Sequence, residues 1–198
     1  MTAGCAERAP FHDEAELLAG IINAAGEGVV SWLLDGIVPG IDGLTVFAAT
    51  LMRDDAAYNL GNMLLLEEGG KAQALLFSYP AALHRIHPAM SGFVKAAKID
   101  AARPMLERSV PGSLYVNTFW VAADRRGTGT ADLLMQRAQA KAREAGLQGI
   151  SLFCRHSNPR ALRFYQRRGF ETMEQFPFPV PSIEGGGQGG SLLFRSNG

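Results

Sequence analysis

Leu114-Tyr115-Val116-Asn117-Thr118-Phe119-Trp120-Val121, followed closely by Arg126-Gly127-Thr128-Gly129-Thr130-Ala131, decides how this chain is read. The first run is apolar, β-branched or aromatic at most positions, and reads as a strand. The second carries two glycines and opens a segment, Asp132 to Ala145, that reads as a long helix. There Ala131, Leu134, Met135, Ala138, Ala142 and Ala145 recur at steps of three and four, which makes one buried stripe. A strand, a glycine turn and a helix start in succession form an anion site. The first N–H groups of a helix have no partner inside it, and its dipole favours negative charge there. Glycine lets the backbone come close to a ligand and adopt positive φ. The turn therefore predicts a bound phosphate group.

Outward from this turn the elements alternate. Gly146 is a natural helix stop, and Gly149 to Arg155 reads as a strand. Asn158 suits an N-cap and Pro159 the first position of a helix that ends at Gly169. A further strand runs from Phe170 toward Phe176. Pro177, Pro179 and Pro181 then give an extended turn, Glu184 to Gly190 a glycine-rich loop, and Ser191 to Arg195 a last edge strand. Toward the N-terminus, Met63 to Glu67 and Ala72 to Tyr79 are apolar runs joined by Glu68-Gly69-Gly70, which is a hairpin signal. Asp13 can cap a helix to about Ala25 with Leu17, Leu18, Ile21 and Ile22 on one face. Gly26-Glu27-Gly28 breaks it, a second helix runs through Trp32 and Leu34, and Leu44 to Asp54 has helical spacing. Ala6 to Ala9 reads as a short edge strand. His84 to Val110, with Pro88 and Pro104, reads as a helical or irregular excursion. Helices and strands in this order predict an α/β fold with a sheet of mixed direction.

Composition narrows the function. The chain has 198 residues, long enough for one domain with a substantial core, and the expected domain spans 1–198. Lys plus Arg equals Asp plus Glu, 19 each, which argues against a protein built to grip nucleic acid. Arginines nevertheless crowd the stretch from Arg125 to Arg168, where a small polyanion would be at home. The two cysteines, Cys5 and Cys154, make a disulfide framework unlikely on their spacing and suit a reducing compartment. No signal-peptide h-region opens the sequence, and no apolar run reaches the roughly 18 residues that cross a bilayer. A cytoplasmic protein without membrane partners is expected.

Two signals in one chain now point to a family. Arg126-x-x-Gly129-x-Ala131 resembles the Arg/Gln-x-x-Gly-x-Gly/Ala signature of the GNAT superfamily of acyl-CoA-dependent N-acyltransferases. Asn158-x-x-Ala161-x-x-Phe164-Tyr165-x-x-x-Gly169-Phe170 resembles that family's second segment, in the same order and at the usual separation. The likeness is strongest from Leu114 to Phe170, within 112–176. Arg8, Pro10 and Asp13 look like the family's opening. The resemblance implies a mostly antiparallel central sheet flanked by helices, with a splay between the fourth and fifth strands. It implies acetyl-CoA as co-substrate, no metal, and an amine acceptor that the sequence does not identify. A homodimer would be in keeping with the family. Arg126, Gly127, Thr128, Gly129, Thr130 and Ala131 would cradle the pyrophosphate, the two threonines adding hydroxyl donors. Phe119 and Val121 would lend their backbone edge to the pantetheine arm. An N–H near Trp120 or Val121 would polarise the thioester carbonyl. Asn158 would touch the pantetheine, and Tyr165 would protonate the leaving thiolate. The acceptor pocket would come from Gly26 to Pro39 and Pro177 to Gly190, neither of which carries an acidic cluster suited to a polyamine.

The residues support that last role and also leave alternatives. Asn158 and Tyr165 are seven apart, so they share one helical face. A phenol with pKa near 10 stays protonated at neutral pH and can donate to a thiolate. Tyr165 also reads as a core tyrosine, Asn158 as a simple N-cap, and Gly127-Thr128-Gly129 as an ordinary turn. A Rossmann fingerprint fits less well, because position 132 is Asp. His84 and His87 lack a local Asp, Glu or Cys to complete a metal site and read as surface histidines. His156 reads as a solvated loop residue rather than a base, Cys154 as a core residue, and Glu67 and Glu68 as solvated turn charges. Arg125 competes with Arg126 for the phosphate. No residue stands out as the base for the amine, and Asn117 and Thr118 cannot serve directly. The expected activity is acetyl transfer to a primary amine by direct attack in a ternary complex. The alternative is a non-catalytic acyl-CoA-binding or regulatory domain on the same fold.

Overall fold

The structure is a computed structural model that describes residues 5–53, 55–88, 90–181 and 189–197. Its centre is a seven-stranded sheet in the order β1-β2-β3-β4-β5-β7-β6. The strands are β1 (Ala6–Arg8), β2 (Met63–Glu68), β3 (Lys71–Pro80), β4 (Leu114–Val121), β5 (Gly149–Arg155), β6 (Glu171–Pro177) and β7 (Gly189–Ser196). The α-helices are α1 (Ala15–Ala25), α2 (Val29–Leu34), α3 (Gly43–Leu51), α4 (Met90–Phe93), α5 (Ala96–Glu107), α6 (Thr130–Glu144) and α7 (Pro159–Gln166). Among the described residues, no helix is long and apolar enough to cross a membrane.

Local chemistry explains most of these elements. Gly69 and Gly70 join β2 to β3 at φ 58° and 74°, and a two-residue turn with positive φ at both positions matches the twist of the flanking strands. Asn158 caps α7 by accepting from Ala161 N–H at 3.0 Å, with Pro159 in the first turn. α1 starts differently from the expectation. Asp13 lies inside a 3-10 turn (His12–Glu14) that runs straight into the helix, and no side chain caps α1. Glu14 instead folds back to accept from Phe11 N–H at 2.8 Å and from Arg8. Leu18, Ile21 and Ile22 are buried, but Leu17 is 51% exposed. The excursion before β4 is largely helical, and α5 runs through Pro104.

Alternation across the strands separates two cores. Leu75, Phe77 and Tyr79 of β3 face α1 and α3, while Ala74 and Leu76 face α6 and α7. β4 would lose this sorting without an irregularity. Phe77 pairs with Thr118 and Ser78 with Val116, so Asn117 is an extra residue in β4. This bulge lets Leu114 and Val116 before it, and Phe119 and Val121 after it, share the α6–α7 side. A third cluster packs α2 and α5 around Phe178 and Val180.

Every neighbouring pair of strands is antiparallel except β4 and β5. These two run parallel and pair only at Leu114 with Ile150 and Tyr115 with Ser151, then diverge. The expected splay is therefore present. The last strand corrects an expectation: β7 is not an edge strand but lies between β5 and β6 and pairs with β5 along its whole length. Composition accounts for the order. Leu192 and Leu193 are buried, whereas β6 carries Glu171, Thr172, Met173 and Glu174, a polar sequence suited to a sheet edge. Of the glycine-rich loop expected over Glu184 to Gly190, only Gly189 and Gly190 fall among the described residues, at the start of β7.

Candidate active site

The glycine turn opens α6. Gly129 is the N-cap at φ 90°, a left-handed conformation that a side chain would strain, and no side chain caps the helix. The N–H groups of Thr130 and Ala131 therefore stay free to point outward, while Asp132 N–H donates to the Gly129 carbonyl at 3.0 Å. Arg126 donates from Nε to the Val121 carbonyl at 3.3 Å, which sets its guanidinium between the turn and the β4 edge. Arg125 faces elsewhere: it pairs with Glu68 and donates to Gln73 Oε1 at 3.1 Å. Of the two arginines, Arg126 lies against the open β4 edge and Arg125 against β2 and β3. The threonines brace the turn rather than face outward. Thr128 Oγ1 donates to the Arg125 carbonyl at 2.7 Å and sits 2.9 Å from Thr130 Oγ1, and Thr130 is buried. Glu67 and Glu68 are likewise not solvated turn charges, since Arg8 and Arg125 hold them.

Beyond Tyr115 the β5-facing edge of β4 is open. Ala122 N–H donates to the Gln73 carbonyl at 2.9 Å, so by alternation Trp120 and Thr118 also turn their backbone groups toward β3. Phe119 and Val121 turn theirs toward the splay. Of the two N–H groups expected near the thioester, that of Trp120 faces β3 and that of Val121 the splay. The open edge, the outward N–H groups at Gly129 and the guanidinium of Arg126 form a continuous track that fits a phosphorylated chain lying along β4.

Tyr165 lies across the splay from this edge. Its ring meets Phe119, Phe164 and Phe170 at 6.1, 5.4 and 5.3 Å between centroids. Burial, and Cys154 nearby, push its phenol above the ordinary value, so it is protonated at neutral pH. Asn158 Oδ1 is occupied by the cap, which leaves its amide nitrogen for a ligand. Cys154 is buried, and burial together with Glu27 drives its thiol up to about 12, so it is no thiolate. His156 turns toward β7, with Nε2 2.9 Å from Ser191 Oγ.

A cavity of about 640 Å³ passes through the splay. Phe119, Cys154, Asn158, Ala161 and Tyr165 line it on the α6–α7 side. On the other side its wall comes from the expected stretch from Gly26 to Pro39, together with α3 and the segment from His84 to Leu106; of the stretch expected over Pro177 to Gly190, 182–188 lie outside the described residues. Sequence reasoning missed two residues here. Glu27 lines the cavity, is 2% exposed, and stands at φ 55°, an uncommon setting for a non-glycine residue. It accepts from Ser157 Oγ at 2.5 Å and lies 3.4 Å from Arg155 Nε. Arg155 in turn donates to the Val180 and Pro181 carbonyls at 2.6 and 3.3 Å, which ties the α1–α2 turn to the chain beyond β6. The signal for Glu27 was an acid between two glycines at a helix break.

His84 is the other. It is buried, not on the surface, and its ring stacks on Tyr115 at 3.6 Å. Nε2 is 3.0 Å from the Met105 carbonyl, which can only accept, so Nε2 carries the proton. Nδ1 then accepts from the Tyr79 hydroxyl at 3.2 Å, and the Tyr79 oxygen accepts from Asn117 Nδ2 at 3.2 Å. Burial lowers the His84 pKa to about 4, so the ring is neutral at pH 7. This network holds the β4 bulge in place beneath the cavity. His87 is more exposed and lies 3.7 Å from Asp55 at the rim. Among the described residues, no group of three or more His, Cys, Asp or Glu side chains is placed to hold a metal ion.

Comparison with known proteins matches residues 66–170 to the acetyltransferase (GNAT) family. A Bacillus subtilis (strain 168) protein, the uncharacterized protein YdhI, is 39% identical over 57 residues, covering 29% of this chain and 34% of that protein. The matched stretch thus spans about a third of that relative's length. Among solved structures, an N-acetyltransferase from Staphylococcus aureus Mu50 has a TM-score of 0.67 at 17% identity, over 96% of this chain and 100% of that one. Naa50 of Arabidopsis thaliana, in complex with the bisubstrate analogue CoA-Ac-MVNAL, has a TM-score of 0.57 at 14% identity, over 98% and 99% of the two chains. At such identities the likeness is one of fold.

Proposed function

The chain belongs to the GNAT acetyltransferase family, and on that premise we propose that it moves an acetyl group from acetyl-CoA to a primary amine by direct attack in a ternary complex. The observation that carries this reading is the open β4 edge running from the α6 turn into a cavity with Tyr165 on its wall. Acetyl-CoA enters as a substrate and supplies the acetyl group and a thiolate leaving group. Arg126 and the N–H groups of Gly127, Gly129, Thr130 and Ala131 receive its pyrophosphate, Thr128 N–H being turned to the Arg125 carbonyl. Phe119 and Val121 bond the pantetheine arm, with the amide of Asn158 on the opposite wall. The N–H of Phe119 or Val121 donates to the thioester carbonyl and stabilises the oxyanion as the amine adds. Tyr165 then gives its proton to the departing sulfur.

The amine must attack in its neutral form. An apolar cavity favours this, because leaving water disfavours the ammonium. Glu27, the buried carboxylate that lines the cavity, is already held by Arg155 and Ser157, so the released proton passes to solvent at the cavity mouth. The two cysteines are unpaired, in keeping with the reducing cytoplasm that this reading implies. The test is thiol release with acetyl-CoA across a panel of amines, alongside acetyl-CoA affinity. Tyr165→Phe lowers turnover about 10²- to 10⁴-fold with affinity unchanged. Equal turnover in the two proteins would remove Tyr165 as the acid. No transfer to any amine, with acetyl-CoA still bound, would favour a non-catalytic binding domain.

A further inference from the structure

The shape and lining of the acceptor side say more about the amine. The argument rests on the acetyltransferase reading and names the substrate class for the same site. The sheet divides the cavity: the track for the coenzyme lies on the α6–α7 side, and the part beyond the splay is left for the acceptor. That part is walled by Val29, Leu33, Ile37, Val46 and Val94, all apolar. Its mouth carries apolar groups as well, beside Arg53, Asp55 and His87. Val38, Ile41 and Phe93, exposed at 36%, 44% and 70%, all line it. Exposed apolar groups gathered around one opening mark a binding site rather than ordinary surface.

The buried and half-buried charged groups on the same wall already have partners, and Arg53 also lines the cavity, exposed at its rim. Glu27 is held by Ser157 and Arg155, and Asp55 accepts from Ala57 and Tyr58 N–H at 2.8 and 2.7 Å. A second ammonium or a sugar deep in this lining would enter without a matching group and lose its water. The acceptor part is only a share of the cavity of about 640 Å³, which limits it to a small molecule.

We propose that the acceptor is a small primary amine carried on an apolar body, such as an alkylamine or arylalkylamine. Its hydrocarbon part lies among α2, α3 and α4, and its nitrogen points to the splay between Asn117 and Tyr165. The nitrogen forms a bond to the acetyl carbon as the carbon–sulfur bond breaks. The thiolate takes the Tyr165 proton, and the nitrogen loses one proton to solvent at the cavity mouth.

The test compares kcat/KM, with acetyl-CoA as donor, for n-alkylamines of increasing length and for phenethylamine against putrescine, lysine and glucosamine. The expected result is a rise of about three- to fourfold per added methylene until the cavity is full. The polar amines fall far below alkylamines of equal size. Thermal shift in the presence of coenzyme A gives a second readout, with the longer alkylamines stabilising the protein and lysine having no effect. Val38→Ser and Phe93→Ser alter only the exposed rim, so folding is preserved. Each lowers kcat/KM for the longest amines by about three- to tenfold and for short amines by less. Transfer that is indifferent to apolar size, or that prefers the polar amines, overturns the inference while leaving the acetyltransferase reading intact. So does a preference for octanoyl-CoA over acetyl-CoA, which would put the acyl chain in the cavity, or for peptides with a bulky apolar first residue over free amines. Absence of both acetyl-CoA binding and transfer overturns the underlying reading instead.

Discussion

His84 makes stability depend on pH in a way that can be isolated. The ring is buried against Tyr115, donates to the Met105 carbonyl and accepts from Tyr79, an arrangement that only the neutral form satisfies. Its pKa falls from 6.5 to about 4 on folding. Between those values the unfolded chain binds a proton that the folded chain does not. Stability contributed by the neutral ring is therefore complete above about pH 6.5 and is lost as pH falls toward 4. The full loss is about 3 kcal/mol, of which about 2 kcal/mol is gone by pH 5. The perturbation is His84→Gln, which cannot titrate. Urea unfolding of both proteins at steps from about pH 7 to pH 4.5 gives the difference in stability at each pH. Other titrating groups are common to both proteins and cancel. The wild type's advantage at neutral pH shrinks by about 2 kcal/mol at pH 5. A difference that stays constant across this range would refute the buried, neutral assignment.

Arg126→Ala weakens acetyl-CoA binding by about ten- to a hundredfold, as expected for loss of a charged hydrogen bond, in a calorimetric titration. Arg125→Ala leaves that affinity within about twofold and costs at most about 1 kcal/mol in urea, because its partners are Glu68 and Gln73. Gly149→Ala drives a methyl group into the Arg195 carbonyl and the Phe194 ring, backbone and side chain of the paired strand. It destabilises the protein by about 3 kcal/mol or more, read as a fall in the urea midpoint.

The parts of this molecule that announced themselves were those with local causes. A glycine pair sets the β2–β3 turn, Asn158 and Pro159 start α7, and an unbroken apolar run becomes β4 with its expected ends. Each needs only residues near it in the chain. What stayed hidden depends on partners far away. β7 reads as a terminal edge strand until its pairing with β5, some forty residues upstream, makes it interior. Glu68 looks solvated until Arg125 arrives from beyond β4. His84 looks like a surface residue beside a proline, and only Tyr115 and Met105, brought in by the fold, bury it. The site divides in the same way. The residues proposed to hold the coenzyme form contiguous motifs. The acceptor wall, with Glu27, is assembled from separate helices and carries no motif.

The account's central claim is that the turn from Arg126 to Ala131 and the open edge of β4 together hold an acyl-CoA. Calorimetric titration of acetyl-CoA into the wild type and Gly129→Val tests it most directly. Valine at φ 90° forces the N-cap out of its left-handed conformation and redirects the N–H groups behind it. The account predicts saturable one-to-one binding to the wild type and a loss of affinity of at least about tenfold in Gly129→Val. Absence of binding to the wild type, or equal binding by both proteins, would contradict it.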